Sequence, residues 1–161
     1  MKQANQLGRT SEAGASAFIG LDIGNTRLTG CASTGDGQLL WWRERPAPSD
    51  CGADAAVPVL LELADQARSA ATTENRLVRG VGLGFGGPVD YERRVTRQSF
   101  HSPGWEDLPL AEIFERELAL PVSLDNDANA GGLGEALFGA ALGHRALLYV
   151  NVGTGVGGAV V

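Results

Sequence analysis

The distribution of apolar and polar residues divides the chain into short apolar runs, which predict strands, and longer segments whose apolar residues have helical spacing. Strands are predicted at 17–24, 27–32, 39–45, 77–83, 120–124, 146–152 and from 159 onward. Helices are predicted at 57–67, with Pro58 tolerated in the first turn, at 108–118, and directly after the strand at 120–124. The alternation of the two element types predicts an α/β fold.

Composition narrows the possible functions. The chain has 161 residues, 43% of them hydrophobic, and a net charge of -6. A chain of this length can bury a core, and an acidic chain without a Lys/Arg cluster lacks the footprint of a nucleic-acid-binding protein. Residues 1–16 lack an apolar core of the length that a signal peptide needs, and the sequence contains no apolar run that could span a bilayer. Cys31 and Cys51 lack metal-ligand spacing. We expect a cytoplasmic protein that acts on small molecules, binds neither nucleic acid nor membrane, and has a flexible polar tail at 1–16.

Asp22 is the first candidate for chemistry, because it interrupts an apolar strand. A carboxylate in such a run is unfavourable unless it is paired, hydrated at a cleft or close to a metal. Gly24, Asn25 and Thr26 form the turn that follows. This turn is either an ordinary hairpin or a backbone cradle for ATP phosphates, with Asp22 holding Mg²⁺ directly or through water.

A glycine-rich turn follows the strand predicted at 77–83. It contains more glycine than a plain turn requires, and where side chains are absent a ligand can approach backbone N–H and C=O groups closely. We therefore expect a substrate hydroxyl near Gly86 or Gly87. Trp105 either forms a wall of that pocket or packs in the core.

A second glycine-rich segment, 153–158, follows the strand predicted at 146–152. Alone, the pattern Gly-Thr-Gly-x-Gly-Gly is a weak signal, because a glycine-rich hairpin has the same letters. Together with the turn after Asp22 it predicts the second half of a phosphate clamp. The residues of this half are Gly153, Thr154, Gly155, Gly157 and Gly158.

Asp127 lies where the strand predicted at 120–124 ends and a helix begins. A short polar side chain at Asn126 or Asp127 is a good N-cap, because it accepts hydrogen bonds from N–H groups of the first turn. The same position faces the crevice where open α/β sheets bind ligands, and a helix N-terminus favours the ionised carboxylate. Asp127 is therefore either a cap or a general base for a hydroxyl that attacks phosphorus.

Four motifs, in this order along the chain, resemble the ROK family, which groups bacterial sugar kinases with sugar-responsive repressors on the actin-like ATPase fold. The motifs lie at 21–27, 84–90, 126–130 and 153–158, and the resemblance covers 18–161. It implies an α/β fold of the actin-like, ribonuclease H-like type. One lobe would lie at 17–121 and the incomplete start of the second at 122–161.

The resemblance also implies roles for the motif residues. The sugar would contact Gly86, Gly87, Asn126 and Asp127, and Asp127 would be the catalytic base. The ATP phosphates and their Mg²⁺ would be held by Asp22, Gly24, Asn25, Thr26 and Arg27 of the first motif, with the metal at Asp22, and by Gly153, Thr154, Gly155, Gly157 and Gly158 of the last. Glu135, two turns along the helix, would be structural.

The chain departs from the family pattern in three ways. Asn25 and Arg27 replace the usual Gly and Lys, although both can still donate to phosphate. Ser102 and Pro103 lie where many kinases of the family offer an asparagine to the sugar. Family members also continue into a second domain with a Glu-x-Gly-His sugar contact, a structural zinc loop and the adenosine pocket. This chain therefore resembles an amino-terminal portion.

The resemblance leads us to expect an ATP-dependent kinase for a hexose or amino-hexose such as glucose, N-acetylmannosamine, N-acetylglucosamine or fructose. It implies a homodimer for the complete protein. The 161-residue chain alone is expected to be inactive, and to self-associate through the apolar edge after Gly153. Two alternatives stay open, a sugar-sensing transcriptional regulator of the same family and a non-catalytic sugar-binding fragment.

Overall fold

The computed structural model describes residues 15–48, 52–98, 103–153 and 155–161. In chain order the elements are β1 (Ser16–Ile23), β2 (Arg27–Thr34), β3 (Leu39–Pro46), α1 (Ala53–Thr73), β4 (Leu77–Phe85), β5 (Val89–Asp90), β6 (Val95–Thr96), α2 (Leu110–Leu118), β7 (Val122–Asn126), α3 (Asp127–Phe138), β8 (Leu148–Val152) and β9 (Val156–Val160). The structure is of mixed α/β type, as predicted. The predictions at Cys51, Ser102 and Thr154 fall outside the described residues.

Five strands form the main sheet, in the spatial order β3, β2, β1, β4, β7. The first three form an antiparallel meander, whereas β4 runs parallel to β1 and β7 runs parallel to β4. The carboxyl ends of β1, β4 and β7 therefore meet at one edge of the sheet. In open α/β sheets this is the edge where ligands bind.

Helices α1 and α2 pack on one face of the sheet and form the core with it. The large side chains that meet there are buried: Ile19, Leu21, Leu28, Leu60, Leu63, Leu83, Leu110, Phe114 and Leu124. Because side chains alternate along a strand, Phe18, Gly20 and Asp22 point to the other face. The strand at 17–24 is thus apolar mainly on the side that faces the core.

Helix α3 crosses that second face. At its start, a Cβ placed on Gly84 in β4 would lie 3.6 Å from the Cα of Asp127. At its end, Phe138 contacts Gly37 in the turn between β2 and β3, which has a φ of +88°. The helix therefore runs from the carboxyl edge of the parallel strands to the opposite edge. Its first turn lies directly over the candidate site.

Helix α1 starts earlier than predicted. It begins at Ala53, so Pro58 lies inside the helix rather than in its first turn. Proline lacks the N–H that would bond the carbonyl of Asp54, but both residues are exposed and water can reach that carbonyl. The hydrophobic pattern missed the start because the first turn is rich in alanine. Of the helices described, not one has both the length and the apolar character needed to cross a membrane.

Strand β7 belongs to the main sheet. It pairs in parallel with β4, from Val81 opposite Val122 to Phe85 opposite Asn126. The lobe boundary predicted between 121 and 122 would separate this strand from its sheet, so we propose a boundary after Asn126 instead. The segment beyond it contains α3 and a two-stranded sheet of β8 and β9 that packs on α3.

Candidate active site

Parallel strands bring three acidic residues to one edge of the sheet. In the register of the sheet Asp22 pairs with Gly84, and Gly84 pairs with Asp125. Strand β7 ends one residue later at Asn126, and Asp127 begins α3. The carboxylates therefore lie around a glycine in β4, the middle one of the three parallel strands, at the edge where open α/β sheets bind ligands.

Gly84 and Gly86 make room for two of these acidic residues. A methyl group placed on Gly84 would lie 3.6 Å from Oδ1 of Asp22 and 3.6 Å from Cα of Asp127. A methyl group on Gly86 would lie 3.8 Å from Oδ2 of Asp127, whereas Oδ1 accepts the N–H of Ala128 at 2.8 Å. Asp22 and Asp127 thus both border Gly84, and one oxygen of Asp127 is directed at the glycine turn.

The carboxyl group of Asp22 ionises less readily than that of an ordinary aspartate. Its pKa is raised from 3.8 to about 6, first because surrounding protein atoms reduce its hydration and second because Asp127 is negatively charged, while the N–H of Ile23 opposes the shift. A cation beside Asp22 would offset both effects.

These carboxylates fit the predicted magnesium ion. Proteins usually bind Mg²⁺ through one or two carboxylates, and substrate phosphates and water complete its coordination. Within the described ranges, no group of three or more acidic, histidine or cysteine side chains is arranged as a metal site. The protein would therefore contribute Asp22, and a bound nucleotide would have to supply further oxygen ligands.

The side chain of Asn126 joins the start of α3 to the glycine turn after β4. Its Oδ1 accepts the N–H groups of Ala128 at 3.0 Å and Asn129 at 3.4 Å, so Asn126 is the N-cap. Its Nδ2 donates to the carbonyl oxygens of Phe85 at 3.3 Å and Gly87 at 3.2 Å. The cap role therefore does not require the carboxylate of the next residue. The contact of Asn126 with sugar stays a prediction.

The turn at Gly86 and Gly87, predicted to contact the sugar, is closely packed on its inner side. The N–H of Gly86 donates to the carbonyl of Ile23 at 3.1 Å. A Cβ on Gly87 would lie 2.7 Å from the ring of Phe85 and 2.8 Å from the carbonyl oxygen of Gln98. Only glycine fits at position 87 without displacing backbone.

Trp105 supports this turn from within the core. The residue is 1% exposed, and its ring centroid lies 5.0 Å from that of Phe85. Its carbonyl oxygen accepts a hydrogen bond from the hydroxyl of Thr96 at 2.6 Å. Of the two roles considered for Trp105, core packing is the one observed.

The first predicted phosphate turn lies at the end of β1. The N–H of Gly24 donates to the carbonyl of Arg27 at 3.0 Å, which closes the turn between β1 and β2. Asn25 and Thr26 are exposed, and the guanidinium of Arg27 forms an ion pair with Glu44 at 3.2 Å. A phosphate would therefore compete with Glu44 for Arg27. The phosphate contacts of this turn stay predictions.

The second predicted phosphate turn connects β8 and β9. The N–H of Gly153 donates to the carbonyl of Gly155 at 2.8 Å. A Cβ on either glycine would meet nothing within 4 Å, so Gly153 and Gly155 are open to solvent. Thr154, predicted to contact phosphate, lies outside the described residues.

Gly157 and Gly158 lie beyond that turn, in β9. A Cβ on Gly157 would lie 3.2 Å from the Cβ of Ala128 in the first turn of α3, and one on Gly158 would lie 3.1 Å from the carbonyl oxygen of Tyr149. Among the described residues of the second phosphate motif, Gly157 is thus the one that packs against α3, the helix that begins with Asp127.

Sequence reasoning missed a pair of residues that brackets the start of α3. Oδ1 of Asp125 accepts the N–H of Asn126 at 2.7 Å and a hydrogen bond from Nδ2 of Asn129 at 2.9 Å. The four-residue spacing of Asp125 and Asn129 could have indicated this contact. It did not, because Asp125 belongs to a strand and helical spacing applies within a helix.

The sequence profile of the ROK family matches residues 18–161. The chain belongs to the ROK family. A glucokinase from Halalkalibacterium halodurans is 32% identical to it over 144 residues, a match that covers 89% of this chain and 43% of the relative. A xylose repressor from Bacillus subtilis is 24% identical over 143 residues, which is 89% of this chain and 36% of the repressor. The ROK relatives of this chain therefore include kinases and repressors.

Solved ROK structures share this fold. The ROK hexokinase from Thermus thermophilus is 37% identical with a TM-score of 0.77, over 90% of this chain and 46% of that one. A ROK family glucokinase from Streptomyces griseus, solved with glucose and AMPPNP, is 31% identical with a TM-score of 0.76, over 91% of this chain and 44% of that one. The fold is the α/β actin-like ATPase fold of ROK sugar kinases, as predicted. The chain spans less than half the length of these relatives.

Proposed function

We propose that the protein containing this chain is an ATP-dependent kinase that phosphorylates a hydroxyl of a hexose or amino-hexose. The observation that carries the proposal is the position of Asp127 at the carboxyl edge of the sheet. Asp127 and Asp22 both border Gly84, and Oδ2 of Asp127 is directed at Gly86. The likeness to glucokinases supports the reaction class. The AMPPNP in the Streptomyces griseus structure supports ATP as the donor.

Asp127 is the proposed general base. Its Oδ1 is held by the N–H of Ala128 at 2.8 Å, which leaves Oδ2 on the side of the Gly86 turn. The carboxylate lies in the first turn of α3, at the positive end of the helix dipole. Since phosphoryl transfer passes through a loose transition state, an aligned carboxylate is sufficient to accept the proton of the attacking hydroxyl.

Gly86 and Gly87 form the proposed sugar side of the site. The N–H of Gly86 is bonded to Ile23, and the carbonyl of Gly87 accepts from Asn126. We therefore assign the carbonyl of Gly86 and the N–H of Gly87 to the sugar hydroxyls. Asn126 holds this turn against the helix that carries the base, whether or not it also contacts the sugar.

The two phosphate turns form the proposed nucleotide side. Asp22 would hold Mg²⁺, directly or through water. Burial and the charge of Asp127 raise the pKa of Asp22, and a bound cation would offset both effects. When bound, the magnesium nucleotide supplies the phosphoryl group and neutralises charge that develops during transfer. The residues assigned to the phosphates are Gly24, Asn25, Thr26, Arg27, Gly153, Thr154, Gly155, Gly157 and Gly158.

A sugar-sensing regulator is the second candidate, because a relative of this chain is a xylose repressor. A regulator needs to bind a sugar but needs no base and no metal ligand. The arrangement of Asp127 and Asp22 around Gly84 is compatible with both roles, and it therefore supports the kinase over the regulator.

The substitution Asp127→Asn in the full-length protein tests the proposal. With ATP, Mg²⁺ and a panel of glucose, N-acetylmannosamine, N-acetylglucosamine and fructose, we expect kcat to fall by about 10²- to 10⁴-fold. Sugar affinity should be nearly unchanged, because the amide oxygen still accepts the N–H of Ala128. Asp65→Asn, at an exposed position of α1, is the control.

Each outcome has a definite meaning. Unchanged turnover in Asp127→Asn would exclude the base role. If the unmodified full-length protein binds a sugar but transfers no phosphoryl group to any member of the panel, the regulator or the non-catalytic fragment is the better interpretation.

A further inference from the structure

Helix α3 contains glycines, although glycine destabilises a helix. Gly131, Gly132 and Gly134 lie inside the helix, where glycine is less favourable than alanine. A Cβ on Gly134 would meet nothing within 4 Å, whereas Gly131 and Gly132 contact the β8–β9 hairpin. The close approach of the hairpin therefore accounts for two of the three glycines.

Gly132 lies where both strands of the hairpin reach the helix. A methyl group there would lie 3.2 Å from the Cβ of Tyr149 in β8, 3.2 Å from the Cβ of Ala159 in β9 and 3.2 Å from Cγ2 of Val161. The two Cβ atoms are bonded directly to backbone and cannot rotate away. The hairpin would have to move outward by a few tenths of an ångström.

Gly131 differs from Gly132 in this respect. A methyl group on Gly131 would lie 2.9 Å from Cζ and Oη of Tyr149. These atoms form the tip of a side chain, which can shift without moving the strand. Gly132 is therefore the position at which a methyl group acts on the hairpin backbone.

Strand β9 has a second contact with α3, which lies closer to the β8–β9 turn. Gly157 and Ala159 are two residues apart in β9 and face the same side, and Ala128 and Gly132 are four apart on one face of α3. A methyl group on Gly157 would lie 3.2 Å from the Cβ of Ala128, the residue after Asp127. Strand β9 therefore packs along α3, and its amino-terminal end, at Gly157, lies nearest to Asp127.

We propose that Gly132 and Gly157 are positioning residues for phosphoryl transfer, because they set the spacing between Asp127 and the β8–β9 turn. This inference rests on the proposed function, which assigns the proton to Asp127 and the phosphates to that turn. A misplacement of 1 Å can reduce turnover about 100-fold. The smaller displacement caused by one methyl group should reduce kcat about tenfold, and it should leave the sugar contacts at Gly86 and Gly87 in place.

Gly132→Ala and Gly134→Ala form a matched pair in the full-length protein. Both add the same methyl group to the same helix, and only the first meets the hairpin. We expect Gly132→Ala to lower kcat about tenfold with little change in KM for the sugar, and Gly134→Ala to change neither. The double substitution Gly132→Ala/Ala159→Gly removes one of the three contacts of the new methyl group and should recover part of the lost turnover, because the contacts with Tyr149 and Val161 remain.

Hydrogen exchange provides a readout that does not depend on catalysis. In the unliganded protein, Gly132→Ala should speed exchange of the β8 and β9 amides, and the double substitution should restore part of their protection. Equal kcat values for Gly132→Ala and Gly134→Ala would overturn the positioning role. A loss of turnover on which the added Ala159→Gly substitution has no effect would also overturn it.

Failure of the proposed function gives a different result. An unmodified protein that phosphorylates no sugar of the panel would overturn the kinase assignment and, with it, the catalytic meaning of the spacing. The exchange pattern of the variants would then still report whether Gly132 sets the position of the hairpin.

Discussion

The two glycine-rich turns proposed to hold substrate groups differ in what surrounds them. At Gly87 a methyl group would collide with the ring of Phe85 and the carbonyl of Gln98, whereas at Gly153 and Gly155 it would meet nothing within 4 Å. The first turn is built on the main sheet, and the second extends from a two-stranded sheet that packs on α3. The proposed sugar side is therefore preformed, whereas the position of the phosphate turn at Gly153 and Gly155 depends on how the β8–β9 hairpin is attached.

Alanine substitutions in the two turns should show the largest difference. Gly87→Ala should lower the free energy of unfolding by about 2–3 kcal/mol, because overpacking against backbone forces the turn to shift. Gly155→Ala should stay within about 0.5 kcal/mol of the unmodified protein. Urea unfolding of both variants measures the difference, and equal losses would show that the Gly87 turn is not preformed.

Asn126 is expected to be the next most important contributor to the preformed turn. Asn126→Ala removes the N-cap of α3 and the donor for two carbonyl groups, so it should cost about 2 kcal/mol of unfolding free energy. Asn129→Ala is the control, because it removes one exposed hydrogen bond to Asp125, and it should cost about 0.5 kcal/mol. Thermal unfolding measures both, and equal costs would contradict the assigned role of Asn126.

The same contrast shows what could be predicted from the sequence. Hydrophobic periodicity identified the strand before Gly86, and the N-cap preference of Asn and Asp identified the helix start at Asn126 and Asp127, because these are local features. It could not show that Asp22 and Asp127 both border Gly84, since that depends on the order of strands in the sheet. The start of α1 was predicted four residues too late, because its alanine-rich first turn carries no strong hydrophobic signal and Pro58 was therefore placed in the first turn.

Long-range packing accounts for the other differences. The sequence alone could not decide whether Trp105 lines the pocket or packs in the core, because that depends on its contact with Phe85. The close approach of Gly132 to Ala159 required the position of the hairpin, which neither segment encodes alone. The ion pair of Arg27 with Glu44 joins neighbouring strands whose register was not predicted.

Asp22, at the end of β1, gives the stability of the protein a dependence on pH. Its pKa of about 6 lies above the ordinary 3.8, so between these values the folded protein holds a proton that the unfolded chain has released. Stability must therefore fall as pH rises through this window. Because the residue retains solvent access, we expect an effect of about 1 kcal/mol.

Asp22→Asn should remove this dependence in the absence of nucleotide and Mg²⁺. The variant should be more stable than the unmodified protein at pH 7 by about 1 kcal/mol and equally stable below the ordinary pKa of 3.8. Unfolding curves collected across this range test the sign. A variant that is less stable at pH 7 would contradict the unfavourable ionisation of Asp22.

The exposed hairpin should affect association more than folding. Its outer face is apolar and between 55% and 81% exposed, and it consists of Leu148, Val150, Val152, Val156 and Val160. Such a face, next to unpaired strand edges, favours association of the 161-residue chain with itself. The substitutions Val150→Thr and Val160→Thr keep the β-branched shape, and together they should weaken self-association while changing the unfolding free energy by only about 0.5 kcal/mol.

Sedimentation velocity over a concentration series distinguishes this face from general surface hydrophobicity. Tyr91→Thr is the control, because Tyr91 is 69% exposed and lies in the separate β5–β6 hairpin. If the control weakens association as much as the paired valine substitutions, the hairpin face is not the cause. An unmodified chain that stays monomeric at every concentration would contradict the prediction.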